Sequence, residues 1–154
     1  MPVVASSFFS AKPIDEFNHN RNRNVKNTPK SRYNCGGFAL GTFSWYIPQY
    51  DTWAECETEA NYRTYHCIRT MLEEFSDLRI IPRLSYLAPD EYAIAFRIST
   101  DGDFHYLKRG RNGIWYSKLG SQEKITKHTD EYVFEEYWCD GRYDGPLVLF
   151  AKKL

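Results

Sequence analysis

No apolar run in the sequence approaches the roughly 18 residues that a transmembrane helix needs, so no membrane span or membrane partner is expected. Net charge is missing too. The 20 Lys and Arg balance 20 Asp and Glu, which removes a global pull toward nucleic acid or an anionic surface. The opening "MPVVASSFFSAKP" lacks a basic n-region and a continuous apolar stretch, so a secretory signal is not expected. A cytoplasmic location follows as the expectation, with extracellular action requiring lysis or another export route. The four cysteines, at 35, 56, 67 and 139, include no CxxC pair and form no tight framework, so free thiols are expected. Cys56 and Cys67 share a helix face but stand about 16 Å apart along the axis, too far for one metal. No cofactor or metal is implied, and no internal repeat is visible.

The length suits one domain with a real core, and aromatics make up 17% of the chain. Charge is uneven along it. Residues 1–34 carry Lys12, Arg21, Arg23, Lys26, Lys30 and Arg32 against Asp15 and Glu16, so the lead-in is basic and the remainder acidic. The stretch "NHNRNRNVKNTPKSRYN" is too polar to bury much surface and reads as a solvated connector. The chain therefore divides into a polar, basic lead-in, 1–34, and a folded domain, 35–154.

Helices come first. Asn34 can cap a helix from Cys35 to about Tyr46, stopped by Pro48. Residues 52–76 carry Trp53, Cys56, Ala60, Cys67, Ile68, Met71, Leu72 and Phe75 at helical spacing, with Asp51 as a cap. Strand patterns follow: "RIIPRLSYL" interrupted by Pro82, "YAIAFRIS" at 92–99, and a hairpin with strands near 103–109 and 113–118 around Asn112-Gly113. "GPLVLFAKK" reads as a final strand. Helices followed by antiparallel strands define an α+β fold.

The chemistry centres on "NCGGFALG". A cysteine at a helix start feels the helix dipole and unpaired backbone N–H groups, both of which favour the thiolate. Gly36 and Gly37 cost helix stability, about 1 kcal/mol each in an interior, so access or close packing explains them better. The N–H of Cys35, with Asn34, Tyr33 and Gly36 beside it, is the expected oxyanion and substrate-binding corner. His105 in "DFHY" is the candidate base, distant in sequence as such partners usually are. His19 sits in the lead-in, His66 on the long helix and His128 in a polar loop. For a group that orients His105, Ser117, Tyr116 and Asp103 are to hand.

"NCGGFALG" resembles the cysteine-bearing helix start of NlpC-type papain-like cysteine peptidases, Asp/Asn-Cys-Ser/Gly-Gly followed by apolar residues. "DFHYLKRGRNGIWYSKLG" resembles a segment of bacterial and phage papain-like proteins that reads Asp-Tyr/Phe-His-Trp/Phe-Tyr-Arg, a turn, then Gly-x-Trp-Ser-His-Lys-Pro-Gly. The match runs through Asp103, Phe104, His105, Arg109, Gly113, Trp115, Lys118 and Gly120. The resemblance implies a papain-like fold with N-terminal helices on a C-terminal antiparallel sheet. It also implies a thiol-dependent peptidase or amidase in which Cys35 attacks an amide, with a peptidoglycan peptide as one candidate substrate, and His105 moves the proton. One departure matters: Ser117 stands where that family has a His. Ser117 would then orient His105 through its hydroxyl, or the chain would work as a Cys–His dyad, or it would be a catalytically inactive binding module, for example in a phage or host-interaction role.

Other readings are weaker. The basic lead-in and the "KRGRNG" turn invite a nucleic-acid reading, yet the folded part is acidic and carries no nucleic-acid motif. The turn reads more simply as a solvated hairpin tip. "EYVFEEYWCDGRYDGP" can line a groove, but packing with Trp138 and Cys139 in the core is the simpler reading, and Glu131, Glu135 and Glu136 read as a solvated face.

Overall fold

A computed structural model describes residues 29–48, 60–99, 102–122 and 124–154. The first helix, α1 (Cys35–Leu40), is far shorter than its apolar pattern suggests. Gly41 adopts the left-handed conformation at φ 77° and ends it after six residues. Asn34 then folds the chain back on itself. Its Oδ1 accepts from the N–H of Gly37 and of Tyr46, both at 3.0 Å, and its Nδ2 donates to the Tyr46 carbonyl at 2.7 Å. The segment expected to continue the helix is thus a return loop. The second helix, α2 (Ala60–Glu74), buries Cys67 and Met71 and half-buries Ile68 and Leu72, a stripe at three- and four-residue spacing. Trp53, Cys56 and the expected start at Asp51 lie outside the described residues.

Six antiparallel strands form one sheet: β1 (Leu78–Ile81), β2 (Glu91–Ile98), β3 (Phe104–Arg109), β4 (Trp115–Lys118), β5 (Ile125–His128) and β6 (Val148–Lys153). Their order is β1-β6-β2-β3-β4-β5, so the C-terminal strand is inserted between the first two. The β2–β3 register sets Arg97 opposite His105, β3–β4 sets Arg109 opposite Trp115, and β4–β5 sets Trp115 opposite His128. A short helix, α3 (Asp130–Val133), follows β5 and is capped by Thr129. The protein is α+β, as its element order predicts. His128, expected in a loop, is instead the last residue of a strand.

The sheet has a different core on each face. Ile94, Phe96, Ile98, Tyr106 and Phe150 pack with Cys35, Ala39, Leu40, Cys67 and Met71 of the two helices. Ala93, Ala95, Leu107, Trp115, Leu149 and Ala151 pack on the opposite side with Val133, Trp138 and Tyr143. Strand alternation produces this split. A third cluster joins Tyr33, Phe38, Phe43 and Tyr116. Tyr33 and Asn34 are buried in it and beside it, so the packed body begins ahead of Cys35. Among the described residues, no helix is long and apolar enough to cross a membrane.

The hairpin tip is not merely solvated. Lys108 is buried with its ammonium 4.0 Å from the centre of the Phe38 ring. Arg109 is buried and forks onto Asp130 through Nε at 2.9 Å and Nη2 at 3.1 Å. The basic character read there belongs largely to the interior, because alternate residues of β3 face the two cores.

Candidate functional site

Cys35 opens α1 and is 4% exposed. It is a free thiol. Burial pushes it up to about 12, opposed by the amides of Tyr106, Gly36 and Cys35 around the sulfur and reinforced by the charge of Asp103. The thiol is therefore protonated at neutral pH. A six-residue helix contributes too small a dipole to reverse the cost of burying an anion.

His105 is 3% exposed and lies on β3. Its ring stacks on Tyr143, with centroids 5.1 Å apart, and meets Trp138 edge-on at 6.2 Å. Both partners come from the turn 138–143, which an isolated bridge between Trp138 and Tyr143 closes. Burial lowers His105 to about 4. The cationic forms of His128 and Arg142 lower it further, and Asp103 acts in the opposite sense. At rest the imidazole is neutral.

Cys35 and His105 point to opposite faces of β3. Cys35 packs on the Tyr106 side, and His105 on the Leu107 and Trp138 side. Both line one cavity at the strand's beginning. In the β3–β4 register, His105 falls opposite Leu119, one residue past the end of β4. With no strand beside it on the β4 side, the sheet leaves a cavity of about 540 Å³ lined by Cys35, His105, Asp103, Asn34, Arg142 and Tyr143. Trp45 and Ile47, about half exposed, and Leu119 supply an apolar rim. Asp103 knits the polar wall. Its Oδ2 accepts from Arg142 at 2.8 Å and from the Tyr143 hydroxyl at 2.9 Å, and its Oδ1 accepts from the Phe104 N–H at 2.8 Å.

The other expected site residues have definite places. Asn34 lines the cavity, but its amide is committed to capping α1 and holding Tyr46. Tyr33 is packed against Phe38 and Phe43, with its carbonyl accepting from Lys118. Gly36 faces protein: a Cβ there would stand 3.1 Å from Tyr106 and 3.2 Å from Tyr46. Gly37 is stricter still, since a Cβ would lie 1.7 Å from the Ser44 carbonyl oxygen. Close packing, rather than substrate access, accounts for the glycine pair. Ser117 shares the sheet face of His105, yet its hydroxyl pairs with His128 Nε2 at 3.0 Å. His128 in turn stacks on Tyr132 at 4.2 Å.

Sequence reasoning missed Arg142, Tyr143 and His128 as members or neighbours of this site. The first two sit in a stretch read mainly as packing, and only the fold of the 138–143 turn brings Tyr143 over His105 and Arg142 onto Asp103. His128 carried only a faint signal, two β-branched residues, Ile125 and Thr126, shortly ahead of it. Among the described residues, no group of three or more His, Cys, Asp or Glu side chains could hold a metal ion.

These features define an α+β protein with a cysteine- and histidine-lined cavity at the open end of a sheet strand. The chain belongs to the family described as Domain of unknown function (DUF7689), whose model matches residues 24–139. No curated protein and no solved structure gives a significant match.

Proposed function

We propose that the protein is a thiol-dependent hydrolase of amides, of papain-like type, with Cys35 as nucleophile and His105 as base. The single observation that carries this reading is the shared cavity, which the Cys35 thiol, the His105 imidazole and the Asp103 carboxylate all line. The papain-like reading draws on the order of its parts: a cysteine at a helix start, packing on an antiparallel sheet, and a histidine on a later strand. The resting pair is a thiol and a neutral imidazole, so His105 acts as general base rather than as half of an ion pair. His105 takes the proton of Cys35 as sulfur attacks the carbonyl carbon. The backbone N–H of Cys35, at the start of α1, stabilises the charge that develops on the carbonyl oxygen. The carbon–nitrogen bond then breaks, and the same proton passes from His105 to the leaving amine. Water, deprotonated by His105, hydrolyses the thioester and restores the thiol. The substrate class is a peptide-like amide, with a peptidoglycan peptide as the candidate implied by sequence resemblance.

The decisive experiment is a screen of peptide and amide substrates with the wild type, Cys35→Ala and His105→Gln. Turnover lost in Cys35→Ala and reduced about 10²- to 10⁴-fold in His105→Gln supports the reading. Turnover that survives Cys35→Ala sinks it.

The opposite-face placement of Cys35 and His105 favours a second reading, a papain-like module that binds without cleaving. Saturable binding of a peptide, weakened by mutation of Trp45 or Arg142, together with no turnover on any substrate, would put that reading first.

A further inference from the structure

Lysine is among the side chains least often fully buried, because an ammonium leaves water only where its hydrogen bonds are replaced. Lys118, the last residue of β4, is 0% exposed. Its ammonium donates to the carbonyl of Tyr33 and to the carbonyl of Gly120, and it lies 4.9 Å from the centre of the Tyr33 ring. The two carbonyls belong to different segments, one lining the cavity and the other just ahead of residues that line it. Tyr33 immediately precedes Asn34 and Cys35, whereas Gly120 lines the cavity with Leu119, Ser121 and Gln122. Both acceptors are main-chain atoms, so the contact fixes backbone position rather than side-chain rotamers. The lysine's own backbone is anchored in the sheet, paired with Ile125.

We propose that Lys118 is a positioning residue for the Cys35 cavity: its buried ammonium ties the main chain ahead of the thiol to the 119–122 lip and thereby sets the width of the opening. Tyr33 precedes α1, and Gly120 follows the end of β4. The ammonium links two segments that the sheet ladder does not join. The proposal holds whether the cavity cleaves an amide or only binds one, because it concerns access to Cys35 and not the fate of a bond.

The test compares Lys118→Met, which keeps length and apolar bulk without the donors, with Lys118→Arg, which keeps the charge. Cys35 is labelled by iodoacetamide and, separately, by a maleimide carrying a long polymer chain, and both rates are read by peptide mass spectrometry. The wild type should discriminate strongly against the bulky reagent. Lys118→Met should lose that discrimination several-fold, and Lys118→Arg should recover most of it, with near-ultraviolet circular dichroism native in both. A natively folded Lys118→Met that labels with the wild-type ratio overturns the proposal. Hydrogen exchange in the wild type provides a measurement independent of any variant. Amides at 35–36 and 120–122 should open as one unit with equal protection, and independent opening of the two segments equally overturns the proposal.

Discussion

Cys35 and His105 each hold the protonation state that an ion pair would reverse. Burial is the dominant cause at both, and Asp103 acts on both, raising each. Replacing Asp103 by Asn should therefore lower both midpoints: Cys35 alkylation should accelerate at a fixed alkaline pH, and the His105 ring should titrate below about 4. His128 works in the other sense. Like charges oppose one another, so His128→Gln should raise the His105 midpoint, measured from its ring proton shifts by NMR. An unchanged midpoint would show that the Ser117–His128 pair does not communicate with His105.

At the scale of elements, two contacts hold the site's scaffold in place. The Gly37 position lies against the backbone of Ser44 in the return loop, where no side chain fits. Gly37→Ala should cost about 3 kcal/mol or more, read from urea unfolding, because the obstacle is main chain and cannot rotate away. Gly36→Ala should cost less, since two of its three closest neighbours are Tyr side-chain atoms that can shift by tenths of an ångström. On the opposite face, Asp130 accepts from Arg109 and from the Trp115 indole at 2.6 Å, tying α3 to β3 and β4. Asp130→Ala should destabilise by about 3 kcal/mol, because it strips a buried guanidinium of its carboxylate. An effect within experimental error would mean that α3 is held by its apolar contacts alone.

For the whole molecule, the two buried groups define a window of stability. His105 is lowered from 6.5 to about 4, so the unfolded chain binds its proton first as pH falls. Stability is intact above pH 6.5 and is lost progressively down to about pH 4, by up to about 3 kcal/mol from this group. Cys35 is raised from 9.0 to about 12, so the unfolded chain ionises first, and stability falls as pH rises through that range. Urea midpoints should form a plateau between about 6.5 and 9 and decline on both sides. In His105→Gln the acid limb should flatten relative to wild type, and in Cys35→Ala the alkaline limb should flatten. An acid limb unaltered by His105→Gln would show that carboxylates alone produce it.

The sequence by itself determined the α+β class, the spans of β2, β3 and β6, the stripe of α2, and Cys35 and His105 as the residues to examine. Each rests on local physics: a side-chain period of two or 3.6, a capping Asn, or a residue type with distinctive chemistry. Only the tertiary structure decided the rest. The helix at Cys35 ends at Gly41, and the return loop that follows is held by Asn34 bonding Tyr46, twelve residues on, a choice that no periodicity encodes. Lys108 and Arg109 read as surface charge until the sheet turned them inward. The polar wall of the cavity joins Asp103 to Arg142 and Tyr143 across some forty residues, and its opening exists because β4 ends one residue short of His105. The protonation of Cys35 and His105 followed from burial, which depends on what the whole chain packs around them.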